Sequence, residues 1–305
     1  MTDNKPNVLT VAAASLIAAQ PAMFGVTLEN VVTLAGVEGG NVLVGTARLD
    51  LAKLDGIDQL AEMTLSTIDV FRTRADIHRL IVTVWNAAGD SDAQAEAMRE
   101  AALTTGVDTG AFIVTGNELR DCATGKTGQL PGTDDPFVVR ARVQTGAPVT
   151  PDELRAAWTG HGSITPAESA NRVDAVATFL LLIAGKNAAD VELAELATAL
   201  QDKTLRDTLL AESGKGFASL SSTLVEVAGQ VGYPVIVDEL RKAGARMAPG
   251  HRAVFWTMAG IIAHSSGNTV PAAITQTALS AAHADDPTYS LAALASRAIS
   301  LGLSF

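Results

Sequence analysis

The chain has 305 residues, 48% of them hydrophobic and 18% charged, enough apolar material for a packed core and too much for a disordered chain. Its formal charge of −11 repels phosphate backbones and anionic lipid, so neither nucleic acid nor a membrane surface is an expected partner. One cysteine, Cys122, excludes an intrachain disulfide framework, fits a reducing cytoplasm and reads as a small packing residue.

Val8 to Ala19 is apolar and Ala-rich, but Asp3 accompanies Lys5 before it, and Gln20-Pro21 follows without a small-x-small cleavage site. A buried first helix ended by Pro21 is expected there, not a secretory leader. Asn30 to Ala35 and Asn41 to Leu49 read as strands, and the short Gly-rich connector from Gly36 to Gly40 predicts an antiparallel hairpin. Across 57–73, Leu60, Met63, Leu65, Ile68 and Phe71 fall on or near one helical face. Arg79 to Trp85 is a β-branched run typical of a buried central strand. A helix near 91–105 and a strand from Ala111 to Thr115 follow. This order implies a mixed, partly parallel sheet of about five strands with covering helices. Residues 116–149 are the least regular, and Phe137 to Val143 reads equally as a strand or a helix start.

The second half is helical. Thr150-Pro151-Asp152-Glu153 and Thr165-Pro166-Ala167-Glu168 both carry the capping-box signature, with Pro at the first helical position. Helices are expected near 166–185, 189–201, 203–212, 216–231, 234–244, 250–264, 268–283 and 287–301. The apolar run Ala175 to Ala184 is about half the length a bilayer needs. The fold class is therefore an α/β domain over 1–150 followed by an all-α domain over 151–305, with the boundary near 145–165 and no regular helical repeat.

Few residues carry chemistry. Gly125-Lys126-Thr127 is half a phosphate loop, but Arg120 stands where the motif needs its first Gly, and Gly128 and Pro131 follow instead of a helix. Gly214-Lys215-Gly216 is weaker still. His78, His161, His251, His264 and His283 lack metal-ligand spacing, so neither a metal nor a cofactor is expected. Arg246, His251, Arg252 and Trp256, just after Arg241 and Lys242, are the candidate set for a small anionic ligand. The simpler alternative is that Arg241 and Lys242 complement one helix end while Pro249 begins the next helix. Gln201, Asp202, Arg206 and Asp207 gather at a helix junction, where Asp202 suits an N-cap and Arg206 its i+4 partner, a structural clasp more than a catalytic acid. Asp286-Pro287 reads as another cap. No Gly-x-Ser-x-Gly, His-Glu-x-x-His or paired-Cys motif occurs, which lowers the expectation of an enzyme.

Leu193 to Leu210, with Gln201-Asp202 and Arg206-Asp207 between apolar positions, resembles an actinobacterial family known as domain of unknown function 4192. Further matches are Ala248 to Ala253, Gly267-Asn268, Asp286-Pro287-x-Tyr289-Ser290-Leu291, Pro21 to Gly25 and Ala47 to Leu51. The chain departs from the family at Gly116 to Cys122, which lacks the family's Arg/Trp-rich segment. The resemblance implies a cytoplasmic protein of an actinobacterium or its phage, and the family has no established activity to carry over.

The leading functional expectation is a non-catalytic protein-binding or assembly module whose Ala-rich helices receive a protein partner or another copy of the chain. The alternative is an enzyme or sensor for a small anionic metabolite, nucleotide-like or a sugar phosphate, held between the domains. Strand ends near Trp85 and Gly116 would form one wall, and Arg246, His251, Arg252 and Trp256 the other.

Overall fold

A computed structural model describes residues 8–39, 42–211 and 220–300. Gly40 and Asn41 at the hairpin turn, Gly214-Lys215-Gly216 and the closing Leu301 to Phe305 lie outside the described residues. The chain divides into two compact units, Met1–Pro21 with Thr27–Ala141, and Ala22–Val26 with Arg142–Phe305.

The first unit is built from α1 (Val8–Phe24), β1 (Val31–Glu38), β2 (Val42–Asp50), α2 (Ile57–Arg72), β3 (Ile77–Trp85), α3 (Ser91–Thr104), β4 (Asp108–Thr115), β5 (Glu118–Asp121), β6 (Thr127–Gln129) and α4 (Pro136–Thr145), whose last turn enters the second unit. Among the described residues the sheet has six strands in the order β2-β1-β3-β4-β5-β6. β3 and β4 are parallel across the α3 crossover, and the other neighbours are antiparallel. The mixed, partly parallel sheet agrees with the sequence pattern. Six strands stand where about five were expected: β5 and β6 were both unforeseen, because their Glu-Leu-Arg-Asp and Thr-Gly-Gln carry no β-branched run. Phe137 to Val143 is helical, because the Asp135 carboxylate accepts the Phe137 and Val138 N–H groups (2.8 and 3.3 Å) and Pro136 starts the turn.

Register explains the faces of the sheet. Val32, Leu34, Val82, Val84, Ala111 and Ile113 point to the α2/α3 side and pack with Leu60, Ile68, Phe71, Met98 and Ala102. The Phe71 ring lies over the facing glycines Gly36 and Gly45, where a Cβ would stand only 2.6 and 3.1 Å from it. On the opposite side, Thr33 Oγ1 donates to Gln20 Oε1 of α1 (2.6 Å) and accepts from Trp85 Nε1 (2.9 Å). Pro21 does not end α1. The helix runs to Phe24 and stops at Gly25, whose φ of +74° reverses the chain. Pro21 has no N–H to give the Ile17 carbonyl, so α1 lacks one backbone bond there and continues for only one further turn.

The second unit contains α5 (Pro151–Ala157), α6 (Arg172–Ile183), α7 (Asp190–Ala199), α8 (Lys203–Leu210), α9 (Ser222–Val231), α10 (Tyr233–Arg246), α11 (Ala253–Ser265), α12 (Ala272–Asp285) and α13 (Ser290–Ser300). The Thr150 capping box forms in full: Thr150 Oγ1 accepts the Glu153 N–H at 3.2 Å, and the Glu153 carboxylate accepts the Thr150 N–H at 2.8 Å. The second expected box, at Thr165, does not form. His161 and Gly162 donate to Ala245 O (2.9 and 2.8 Å), and Ile164 pairs with Met247, so this stretch is held extended beside the end of α10. The helix starts only after Asn171, whose side chain accepts the Val173 N–H at 2.9 Å. Gly162 has to be glycine, because a Cβ would run into the Arg246 backbone. Helix starts expected at 250, 268 and 287 fall at Ala253, Ala272 and Ser290 instead. Asp286 does not cap a helix. Its carboxylate closes a tight turn on the Thr288 N–H and hydroxyl (2.9 and 2.6 Å).

Candidate protein-binding face

Helix α6 is apolar around its whole circumference, with no charged residue between Ala175 and Gly185. One side, Ala175, Thr178, Phe179, Leu182 and Ile183, is buried in a core shared with Leu193 and Leu196 of α7 and Ile236 and Leu240 of α10. The opposite side lies open. Val173 is 75% and Leu181 43% exposed, Ala177 is exposed, and Leu180 and Ala184 are half-buried. Val173, Ala177, Leu180 and Ala184 are four, three and four residues apart, the spacing that aligns side chains along a helix–helix seam. Gly185, at φ +76°, ends the helix and brings the surface up to Val235 of α10, which is 38% exposed. A Cβ on Gly185 would sit 3.6 Å from Val235 Cγ1. Charges stand only at the ends, Arg172 and Asp174 at one and Lys186 at the other. A helix without a polar face is normally enclosed.

Arg246, Arg252 and Trp256, three of the four residues singled out for an anion, are tied into the fold by their side chains. Arg246 Nη1 donates to Ala188 O at 2.8 Å, and its Nη2 pairs with Asp190. Arg252 Nε donates to Met247 O at 3.0 Å, and its guanidinium stands 5.9 Å from the Trp256 ring. Trp256 is buried, donates Nε1 to Arg241 O at 3.2 Å, and meets Trp158 edge-on at 6.2 Å. Gly244 leaves room for that indole, which any Cβ there would strike. The Asp286 carboxyl ionises below its usual range mainly through the Thr288 hydroxyl, with a smaller electrostatic contribution from His251. Upstream, Arg241 and Lys242 pair with Asp238 in the body of α10. The start of α11 is secured by a residue sequence reasoning missed. The Asp285 side chain, 4% exposed, accepts N–H groups from Gly250, Arg252 and Ala253 at 3.0, 2.8 and 3.2 Å. It caps α11 from more than thirty positions away, and its one sequence signal is the doubled acid Asp285-Asp286.

Asp202 caps α8 as expected, accepting the Thr204 and Leu205 N–H groups at 2.9 and 3.4 Å. Arg206 is not its partner. Arg206, with a side chain 7% exposed, binds Asp207 at 2.8 Å and Tyr289 Oη at 3.1 Å, and lies 5.8 Å from the Tyr289 ring centre. Burial opposes its charge, but Tyr289 and Asp207 outweigh that and raise its affinity for the proton. Arg172 takes the place beside Asp202, at 3.7 Å. Gln201 makes only a 3.5 Å bond to Ala197 O in its own helix. The segments around 201–207 and 286–291 therefore meet through Arg206 and Tyr289.

In the first unit, a cleft of about 290 Å³ opens at the carboxyl ends of β3 and β4. Its charged lining is Asp90, Asp92, Glu118 and Arg120. Asp90 caps α3 through the Ala93 N–H at 3.0 Å, and Arg120 is bound to Asp92 at 2.8 Å. Cys122 is half-buried against the core, and that burial pushes its thiol up, away from the nucleophilic thiolate. Lys126 leads directly into β6, so no helix N-terminus follows the partial phosphate loop. Among the described residues, no group of three His, Cys, Asp or Glu side chains is placed to hold a metal ion, and no helix is long and apolar enough to cross a membrane. No family model matches the chain, and no curated protein or solved structure matches it.

Proposed function

We propose that this chain is a non-catalytic protein-binding or assembly module of the cytoplasm, docking a protein on the outer face of α6. One observation carries the proposal: a helix apolar on every side keeps one side uncovered. The rest of the chemistry supports it. Arg206, Arg246 and Arg252 are engaged by carboxylates and carbonyls of the fold, and Cys122 is held as the neutral thiol. The single cysteine suits a reducing compartment. An anionic metabolite entering the described cleft would meet three carboxylates and one guanidinium already paired, which weighs against the small-anion alternative. Kinship with domain of unknown function 4192 is also proposed, resting on the Gln201-Asp202, Arg206-Asp207 and Asp286-Pro287-x-Tyr289 matches.

The test replaces Leu181 with a photo-crosslinking amino acid in the producing cell, with Leu294 on α13, which is also exposed, as the control. Defined crosslinked species are expected from position 181 and not from 294. Equal yields, or none from either, would refute a docking role for α6.

A further inference from the structure

Three buried polar atoms of the first unit, Gln20 Nε2, Arg48 Nε and Thr83 Oγ1, have no hydrogen-bond partner among the described residues. All three belong to neighbours of one residue, Thr33 of β1. Arg48 on β2 and Thr83 on β3 are its register partners, and Gln20 of α1 accepts its hydroxyl at 2.6 Å. Paired residues of adjacent strands share a face of the sheet, so Arg48 and Thr83 stand on the same side as Thr33 and Gln20. Gln20, Thr33 and Thr83 are completely buried, and Arg48, on the outer strand of the sheet, is half-buried. Thr33 is already engaged, donating to Gln20 Oε1 and accepting from Trp85 Nε1.

Arg48 breaks the pattern of the other arginines. Arg79 and Arg120 are held by carboxylates, Arg206 by Asp207 and Tyr289, Arg246 by Ala188 and Asp190, and Arg252 by Met247. The charge beside Arg48 is Asp50, whose carboxylate is taken up by the Ala52 N–H at 3.2 Å and by Lys53 at 3.7 Å. Burial pulls the Arg48 pKa down, and Asp50 opposes this only in part. A buried donor left without an acceptor is costly, and most costly on a cation.

We propose that Arg48, Gln20 and Thr83 form a binding site for one small carboxylate ion. The donor set selects that ligand. Arg48 Nε and Gln20 Nε2 can only donate, and the Thr83 hydroxyl is free to do so. A water molecule accepts two hydrogen bonds and has to place two protons of its own, in a set composed mainly of donors. A carboxylate only accepts, and its plane matches that of a guanidinium. Asp50 beside Arg48 favours a single negative charge over the double charge of phosphate. The partial exposure of Arg48 at the sheet edge gives the ion its way in. None of these residues stood out in the sequence as an anion ligand, and they belong to the first unit, whereas α6 belongs to the second.

Thermal unfolding of the full chain in sodium formate, against sodium chloride of equal ionic strength, tests the site, with the Arg48 Nε–H magnetic resonance signal as local probe. Formate should raise the unfolding temperature and shift that signal, both saturating over one concentration range, and chloride should do neither. Arg48→Gln should need on the order of tenfold more formate for the same rise. Thr83→Val, which keeps the shape and loses the hydroxyl, should need several-fold more. A parent that responds to formate no more than to chloride overturns the site, as does either variant responding like the parent. Phosphate acting at lower concentration than formate overturns the choice of a carboxylate.

Discussion

Helices α6 and α11 are both apolar along their middles and have opposite surroundings. Every residue of α11 from Ala253 to Ala263 is buried, enclosed by α10, α12 and α13. α6 is as free of charge along its middle, yet α7 and α10 cover only one of its sides. The sequence logic that makes α11 the centre of the helical unit therefore predicts a cover for the outer side of α6 that the described helices do not supply. Burial of α11 serves stability, and the exposed side of α6 is the surface that the proposed docking role would use.

Substitutions separate the two roles. Phe255 on α11 is fully buried, so Phe255→Ala should cost about 3–5 kcal/mol, read by urea unfolding. An equivalent loss at α6 is not expected from its outer side chains, because surface changes usually stay within about 0.5 kcal/mol. Asp285→Ala removes the acceptor for three N–H groups at the start of α11 and should cost about 1–3 kcal/mol, with faster amide exchange confined to Gly250, Arg252 and Ala253. An unchanged exchange rate there would mean the start of α11 is held in some other way.

The smallest effect is one of pH. Burial would raise the Asp238 carboxyl, but hydrogen bonds from Lys242 and Arg241 outweigh it and hold the group below the usual carboxylate range. An acid depressed in the folded state stabilises fully above its unfolded pKa of about 3.9, and the gain disappears as pH falls through the lower folded value. Asp238→Asn should therefore flatten the decline of stability below about pH 4, and should leave its slope unchanged near neutrality.

Much of this architecture was legible in the sequence because its signals are local. The run Arg79 to Trp85 announces a central strand, and Thr150 with Glu153 announces a helix start, since each completes its pattern within a few residues. Thr165-Pro166-Ala167-Glu168 has the same local pattern, yet pairing with Ala245 to Met247 overrides it from eighty residues away. β5 and β6 escaped because their few residues are polar and have no hydrophobic period. Asp285 was invisible because its partners are distant in the chain, whereas Asp202 caps its own neighbours and was found. The α6 run was noticed only as too short for a bilayer. Its significance depends on which side the neighbouring helices cover, and that is a property of tertiary packing.

The most direct test compares Ala177→Asp on α6 with Ala259→Asp on α11, each assayed for unfolding and for assembly. Ala259 is completely buried, so a carboxylate there should abolish stable folding, whereas Ala177→Asp should keep parental unfolding and lose assembly through α6. Parental assembly in a folded Ala177→Asp protein, or destabilisation as severe as that of Ala259→Asp, would contradict the account.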